Sequence, residues 1–405
     1  MAKLLSAEKA LNIVLNNVKV LKKEEVRLTE ALYRVLAEDV YAPESLPSFI
    51  NSAMDGYAVK SQDLRYARQE KPVILKLIED LPAGYLPKKK VKTDETIKIM
   101  TGAVLPSGTD AVVKVEDTEI SLQNKKKLVK IFHPVEKGEN IRQIGEDVKK
   151  GELVLSKGKT IRAQEIALLA ALGKDKVKIF SRPKVAVLTT GDELVGVKEK
   201  LKPGKIRDSN SYMLEAEIIN SGAIPLSFGI IEDRKKTLKN VFSQAVEKAN
   251  LILSSAGVSV GEYDLVKDCL LEMGLKLKFH TLAIRPGKPL LFGLLRNKPV
   301  FGLPGNPVSS MVTFELFVRP AILKMRGENG YSLPKSEAII GEKVVKKKGL
   351  CYYLRGKLEQ VNNKWYVKTT GPQGSGIISS LVKADCLIVL PEEKTVVNKG
   401  EKVKI

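Results

Sequence analysis

The chain is short of the residues that most often build metal centres and covalent staples. It has three cysteines, Cys269, Cys351 and Cys386, far apart and without a CxxC pair or a neighbouring histidine. Neither a disulfide framework nor a structural zinc site is supported by that spacing. Two histidines, His133 and His280, exclude a multi-histidine metal centre, and each reads as a structural residue. Long apolar runs are also missing, so no membrane-spanning segment is expected. Met1–Ala10 has no signal-peptide core, which makes the cytoplasm the expected compartment. Aromatic residues make up only 5% of the chain, while 68 Lys and Arg outnumber 47 Asp and Glu to give a net charge of +21. Such a charge invites a nucleic-acid reading. The lysines, however, are scattered in groups such as Lys88–Lys90, Lys125–Lys127 and Lys346–Lys348, at turn-like positions without interleaved aromatics. They lack a base-stacking surface and read as solvated loops, so no nucleic acid is expected. The same field would draw in a small acidic substrate.

At 405 residues the chain is too long for one core and is expected to form several domains. Ser6 opens an amphipathic helix to about Val18, with Ala10 and Val14 inward. Thr29 is expected to cap a second helix, Glu30–Glu38. Residues 1–45 and 146–181 then read as two parts of one helical linker module. The text between them, 46–145, is strand and turn and reads as an inserted β module. Within it, Asp55 in Ser52–Val59 (SAMDGYAV) and Thr101 in Ile99–Ala103 (IMTGA) either close turns or face a ligand.

From residue 182 to 328 strands and helices alternate, which predicts a largely parallel sheet in a three-layer α/β/α domain. Leu251–Leu253 is apolar at every position, as a strand covered on both faces is, and Lys184–Thr189 and Val300–Leu303 read as further strands of that kind. Each runs into a polar, glycine-bearing loop: Gly191-Asp192-Glu193, then Gly257 to Asp264, then Pro304-Gly305-Asn306. Asp264 is open to two readings, a helix N-cap or a ligand-facing acid. Asn306 is equally open. Between these loops lies Arg285-Pro286-Gly287-Lys288-Pro289. Loops gathered at the carboxyl ends of parallel strands form the usual ligand crevice of such sheets. Carboxylates with a lysine there suit a phosphate-bearing molecule and a divalent cation. Residues 329–405 read as a small C-terminal β-barrel-like domain.

Taken in order, SAMDGYAV, IMTGA, Thr190–Leu194 (TGDEL), Gly257–Gly261 (GVSVG), Pro286–Pro289 (PGKP) and Gly302–Ser309 (GLPGNPVS) resemble the molybdopterin molybdenumtransferase family, to which the E domain of gephyrin belongs. Ala256 and Arg285 depart from it, standing where the family usually has glycine and lysine. The resemblance implies insertion of molybdate, or tungstate, into adenylylated molybdopterin with release of AMP, assisted by Mg²⁺. It implies Asp192, Glu193, Asp233 and Asp264 as the metal-positioning acids, with Asp55, Thr101 and Lys288 completing the catalytic set. It further implies that Gly257, Ser259, Gly261, Arg285, Pro286, Gly287, Pro304, Gly305, Asn306 and Ser309 line the nucleotide and oxyanion site. A homodimer with sites shared between subunits, and a molybdopterin adenylyltransferase as partner, are implied in the same way. Two other readings remain from the sequence: an adenylyltransferase, which the flanking modules disfavour, and a non-enzymatic cofactor-binding scaffold.

Overall fold

A computed structural model describes residues 4–255, 265–331 and 333–405. Its contacts divide the chain into two compact units, one of residues 39–157 and 163–175, the other of residues 1–38, 158–162 and 176–405.

The first unit is built on a six-stranded sheet, in the order Ala111–Lys114, Gly56–Val59, Glu95–Ile99, Val73–Leu81, Lys126–Ile131 and Thr118–Gln123. Alternation places Tyr57, Leu75 and Val129 on one side and Ala58, Ile97 and Ile99 on the other, as the period of two requires. The unit extends beyond 46–145, because it also takes in the helix Ala163–Ala171.

The second unit centres on another six-stranded sheet. Its order is Ile224–Ile231, Lys184–Thr190, Leu251–Ser255, Lys298–Leu303, Pro289–Leu295 and Lys276–Thr281. The first four strands run parallel and the last two pairings are antiparallel. Both faces are covered. Val185, Val187, Leu251 and Leu253 pack with Leu214 and Ile218 of helix Asn210–Asn220 and with Val308 and Val312. Ala186, Leu188 and Ile252 pack on the other side with Phe242 and Val266. That is the predicted three-layer domain. The long helix expected after residue 307 is present, with a π-helical turn at Phe314–Val318.

Two helical expectations fare differently. Helix Ala7–Asn16 forms as expected, with Ser6 Oγ accepting from Lys9 N at 3.4 Å. Its Ala10 and Val14 join the core of the central sheet. The helix expected over Glu30–Glu38 does not form. A short 3₁₀ turn, Leu28–Ala31, ends before Tyr33, whose φ is +58°. Arg34 N still bonds back to Ala31 O at 2.9 Å, but its neighbours bond to a remote segment. Tyr33 N reaches Ile161 O at 2.7 Å, and Leu36 N reaches Lys159 O at 2.9 Å. Leu32, which a helix over Glu30–Glu38 would turn inward beside Val35 and Leu36, is exposed. Leu265 and Leu271 of the helix Leu265–Glu272 also point outward, and Cys269 takes a buried position beside Val266 and Leu270.

The C-terminal strands close on themselves. Cys351–Val361, Lys364–Thr369, Glu337–Ile340, Lys402–Lys404 and Cys386–Leu390 pair in sequence, and the last returns to the first. This is the barrel-like domain. A sixth strand joins its rim: Ile284–Arg285 of the central domain runs parallel to Cys351–Tyr352.

Candidate active site

The carboxyl ends of the central parallel strands carry the predicted acids. Gly191 turns the chain after Lys184–Thr190 at φ +147°, and a Cβ there would meet the Glu193 carboxylate at 2.7 Å. Asp192 and Glu193 follow as exposed side chains. Asp233 follows the neighbouring strand and is partly buried. Burial raises the Asp233 carboxyl above the ordinary carboxylate range, and the charges of Asp192 and Glu193 raise it further. Asp192 and Glu193 thus stand close enough to Asp233 at this rim for their charges to act on it. Among the described residues, no group of three or more His, Cys, Asp or Glu stands close enough to hold a metal ion. The acids nonetheless suit Mg²⁺, which takes one or two protein carboxylates together with substrate phosphate and water. A cation there would relieve the repulsion that Asp233 feels. Gly257, Ser259, Gly261 and Asp264 lie outside the described residues, as does Ala256.

The next loop carries a polar cluster that the sequence reading missed. Asn210, 8% exposed, donates from Nδ2 to Ser255 Oγ at 2.9 Å and to Gly305 O at 2.7 Å. Its Oδ1 is buried without a partner among the described residues. Asp208, also buried, accepts from Ser211 N at 3.0 Å and so caps the helix that follows. Asp208-Ser209-Asn210 reads in sequence as an ordinary helix start. That is why Asn210, which links two strand ends, escaped notice.

Pro304 and Ser309 are buried, while Gly305 and Asn306 are exposed at the turn into the helix. Val308 N donates to Ser375 O at 3.1 Å, so the loop Gly371–Gly376 of the barrel domain sits against this turn. Gly287, at φ +99°, has Thr313 Cγ2 only 2.5 Å from where a Cβ would lie. The PGKP loop therefore rests directly on the helix. Pro286 is buried, and Lys288 is exposed beyond it.

Arg285 and Pro286 enter a cavity of about 520 Å³ that the barrel domain largely lines. Its cations are Arg285, Lys343, Lys346, Lys347 and Arg355, against one acid, Glu342. Arg355 is 0% exposed. Its Nε donates to Ser380 Oγ at 3.0 Å and Nη2 to Gly374 O at 3.1 Å, while Nη1 is buried without a partner among the described residues. Among the described residues no carboxylate pairs with it. Burial lowers its affinity for the proton. Lys346, expected in a solvated run, is 6% exposed and donates to Leu350 O at 2.8 Å. Neither Arg355 nor Lys346 belonged to a recognised motif. An arginine inside an otherwise apolar strand, Tyr353-Leu354-Arg355-Gly356, was the available signal.

In the other compact unit, Asp55 and Thr101 come together. Asp55 Oδ1 accepts from Thr101 N and from Thr101 Oγ1, both at 2.7 Å. The backbone bond chiefly, then the hydroxyl, holds the Asp55 carboxyl below its ordinary value. The hydroxyl proton is committed to Asp55, which leaves the Thr101 oxygen lone pairs for a donor on a ligand.

Comparison with known proteins places the chain in a family. The chain matches the MoeA N-terminal region (domain I and II) over residues 5–173. It matches a probable molybdopterin binding domain over 186–324 and the MoeA C-terminal region (domain IV) over 337–405. It is 38% identical to the molybdopterin molybdenumtransferase of Haemophilus influenzae, over 94% of this chain and 93% of that one. The chain belongs to the molybdopterin molybdenumtransferase family. It is 33% identical to the Bacillus subtilis member over 94% of this chain and 89% of that one. The crystal structure of the molybdopterin biosynthesis moeA protein from Pyrococcus horikoshii OT3 superposes with a TM-score of 0.83 at 33% identity, covering 99% of each chain. Molybdopterin molybdenumtransferases are enzymes of molybdenum cofactor biosynthesis, and this chain is a transferase of that kind. Among its described residues no helix is long and apolar enough to cross a membrane.

Proposed function

We propose that the chain transfers molybdate, or tungstate, to the dithiolene of adenylylated molybdopterin and releases AMP. The observation that carries this reading is Arg355, a fully buried guanidinium with an unpaired Nη1 and no carboxylate among the described residues. An uncompensated buried charge costs several kcal/mol on the order of magnitude, which an anion in the adjoining cavity would offset. A tetrahedral dianion fits a cavity rich in cations. In this reading Arg355, Arg285 and Lys288 bind and orient the oxyanion, the last two also neutralising phosphate. Asp192, Glu193, Asp233 and Asp264 would hold Mg²⁺, whose chemistry is to neutralise the pyrophosphate and ease departure of AMP. Gly257, Ser259 and Gly261, with Pro286, Gly287, Pro304, Gly305, Asn306 and Ser309, would cradle the nucleotide. Thr101, its proton held by Asp55, would accept from a donor on the substrate.

The same reading makes the protein a cytoplasmic homodimer, with Asp55 and Thr101 of one subunit completing a cleft on the other. It is served by a molybdopterin adenylyltransferase. We also carry forward the division into a linker module (1–45 and 146–181), an inserted module (46–145), a central domain (182–328) and a C-terminal domain (329–405). The deciding experiment incubates the protein with adenylylated molybdopterin and molybdate and measures AMP. Release is expected only with a divalent cation present. Full release after exhaustive chelation would remove the metal from the reading, and no release under any condition would remove the reaction.

A further inference from the structure

The surroundings of Arg285 give its planar guanidinium a defined place. Its strand, Ile284–Arg285, pairs with Cys351–Tyr352, so Arg285 and Tyr352 are register partners. The guanidinium lies over the Tyr352 ring, with Cζ 5.3 Å from the centroid, and Nη1 donates to the phenol oxygen at 3.3 Å. Lys346 Nζ lies 4.9 Å from the same centroid. Tyr352 is 7% exposed, so the ring is fixed by packing in the barrel core. Among the described residues Arg285 has no carboxylate partner, and Glu342, the one acid lining the cavity, accepts from Thr369 N at 2.5 Å.

We propose that Tyr352 is a positioning residue that fixes the Arg285 guanidinium at the cavity without neutralising it, and so sets how tightly the site holds a tetrahedral oxyanion. A carboxylate could fix an arginine as firmly, but it would compete with the anion for the same charge. An aromatic face attracts a cation through its quadrupole and leaves the net charge intact. One N–H is spent on the phenol oxygen, and the other four remain for a ligand. A lysine has no planar fork to lie on a ring, so arginine is the residue that such a partner can orient. Lys346 adds a second cation on the same ring, and its bond to Leu350 O keeps it in place. The inference rests on the oxyanion reading of the cavity and deepens it.

The test is calorimetric titration with molybdate, and in parallel tungstate, of the full chain. The proteins are wild type, Tyr352→Phe, Tyr352→Leu, Arg285→Ala and the double variant Arg285→Ala/Tyr352→Leu. Tyr352→Phe keeps the ring and should bind within about twofold of wild type. Tyr352→Leu loses the ring and should bind about fivefold more weakly. In the Arg285→Ala background the same change should cost nothing more, because the group it positions is gone. In AMP release, Tyr352→Leu should raise the KM for molybdate and leave kcat near wild type. Wild-type affinity in Tyr352→Leu, or an equal loss in both backgrounds, overturns the proposal, the second result marking a general packing role. A wild-type chain that binds neither oxyanion overturns the cavity reading itself, a result no variant can imitate.

Discussion

Replacing Arg355 by methionine tests the proposed anion site apart from the fold. Methionine fills a comparable apolar volume and brings neither charge nor donor. Two side-chain bonds are lost, to Ser380 Oγ and to Gly374 O. Ser380 keeps its bond to Ile377 O at 2.6 Å, so the Gly374 carbonyl is the group left to find a new partner. Such an orphan costs about 1–3 kcal/mol. Against it stands removal of a desolvated cation without a counter-charge, a gain of similar or larger size, several kcal/mol on the order of magnitude. Without added anion, Tm should therefore stay near wild type or rise. With molybdate at a hundredfold over its Kd, wild type should gain about 2.7 kcal/mol, which for a chain of this size is a rise of several degrees. The methionine variant should gain nothing. Differential scanning calorimetry with and without molybdate reads both quantities on one sample. An equal molybdate shift in the variant would show that the ion binds elsewhere. A steep fall in Tm without molybdate would show that Arg355 is structural.

Glu315 provides a pH-dependent expectation. Burial chiefly, with the nearby Glu217 carboxylate, lifts it to about 7 against the pull of Arg319, 3.6 Å away. The folded state then holds a proton that the unfolded chain releases from 4.5 upward, so stability is full below that value and declines up to about pH 7. Glu315→Gln should flatten that decline, by no more than about 3 kcal/mol, in urea titrations across the range; an unchanged slope would refute it. Lys288→Ala should leave the melting temperature nearly unchanged, since the side chain is exposed, and cut turnover strongly; wild-type turnover would take it out of the site. Asp55→Ala and Asp233→Ala subunits, each inactive alone, should recover about a quarter of wild-type activity after exchange, because half the dimers are mixed and each of those has one intact site. No recovery after verified exchange would place every site within one subunit.

The sheet of the central domain was legible because its inner strands carry short, largely apolar runs, and Lys184–Thr190 and Lys298–Leu303 each lead into a glycine-bearing loop. Lys184–Thr190 and Leu251–Ser255 leave no helical alternative of that length. Glu30–Glu38 misled for the opposite reason. Apolar residues at helical spacing also suit an irregular segment whose Val35 and Ala37 are buried against Phe180. A pattern of burial does not specify where backbone N–H groups will bond. Asp192, Glu193 and Asp233 could be placed at one rim from the sequence because each stands two or three residues past the end of a strand. Arg355 and Lys346 were not, since what makes them unusual is their surroundings: a cation looks solvated in sequence until packing encloses it. Tyr352 shows the same limit from the other side, an aromatic residue that reads as core and also touches a charge 67 positions away in the chain.

The strand Ile284–Arg285 has two memberships, by covalent connection in the central domain and by hydrogen bonding in the barrel sheet. Severing the chain within residues 331–336, before the strand Glu337–Ile340, would leave the Arg285 loop on one fragment and its template strand on the other. Neither piece alone could present Arg285. Two fragments that found each other would restore the loop by adding one short parallel pairing. Anion capture would then report their reassembly, in the way split reporters are read. The barrel domain is in this sense no appendage to the central α/β domain. It is the missing edge of one of its loops.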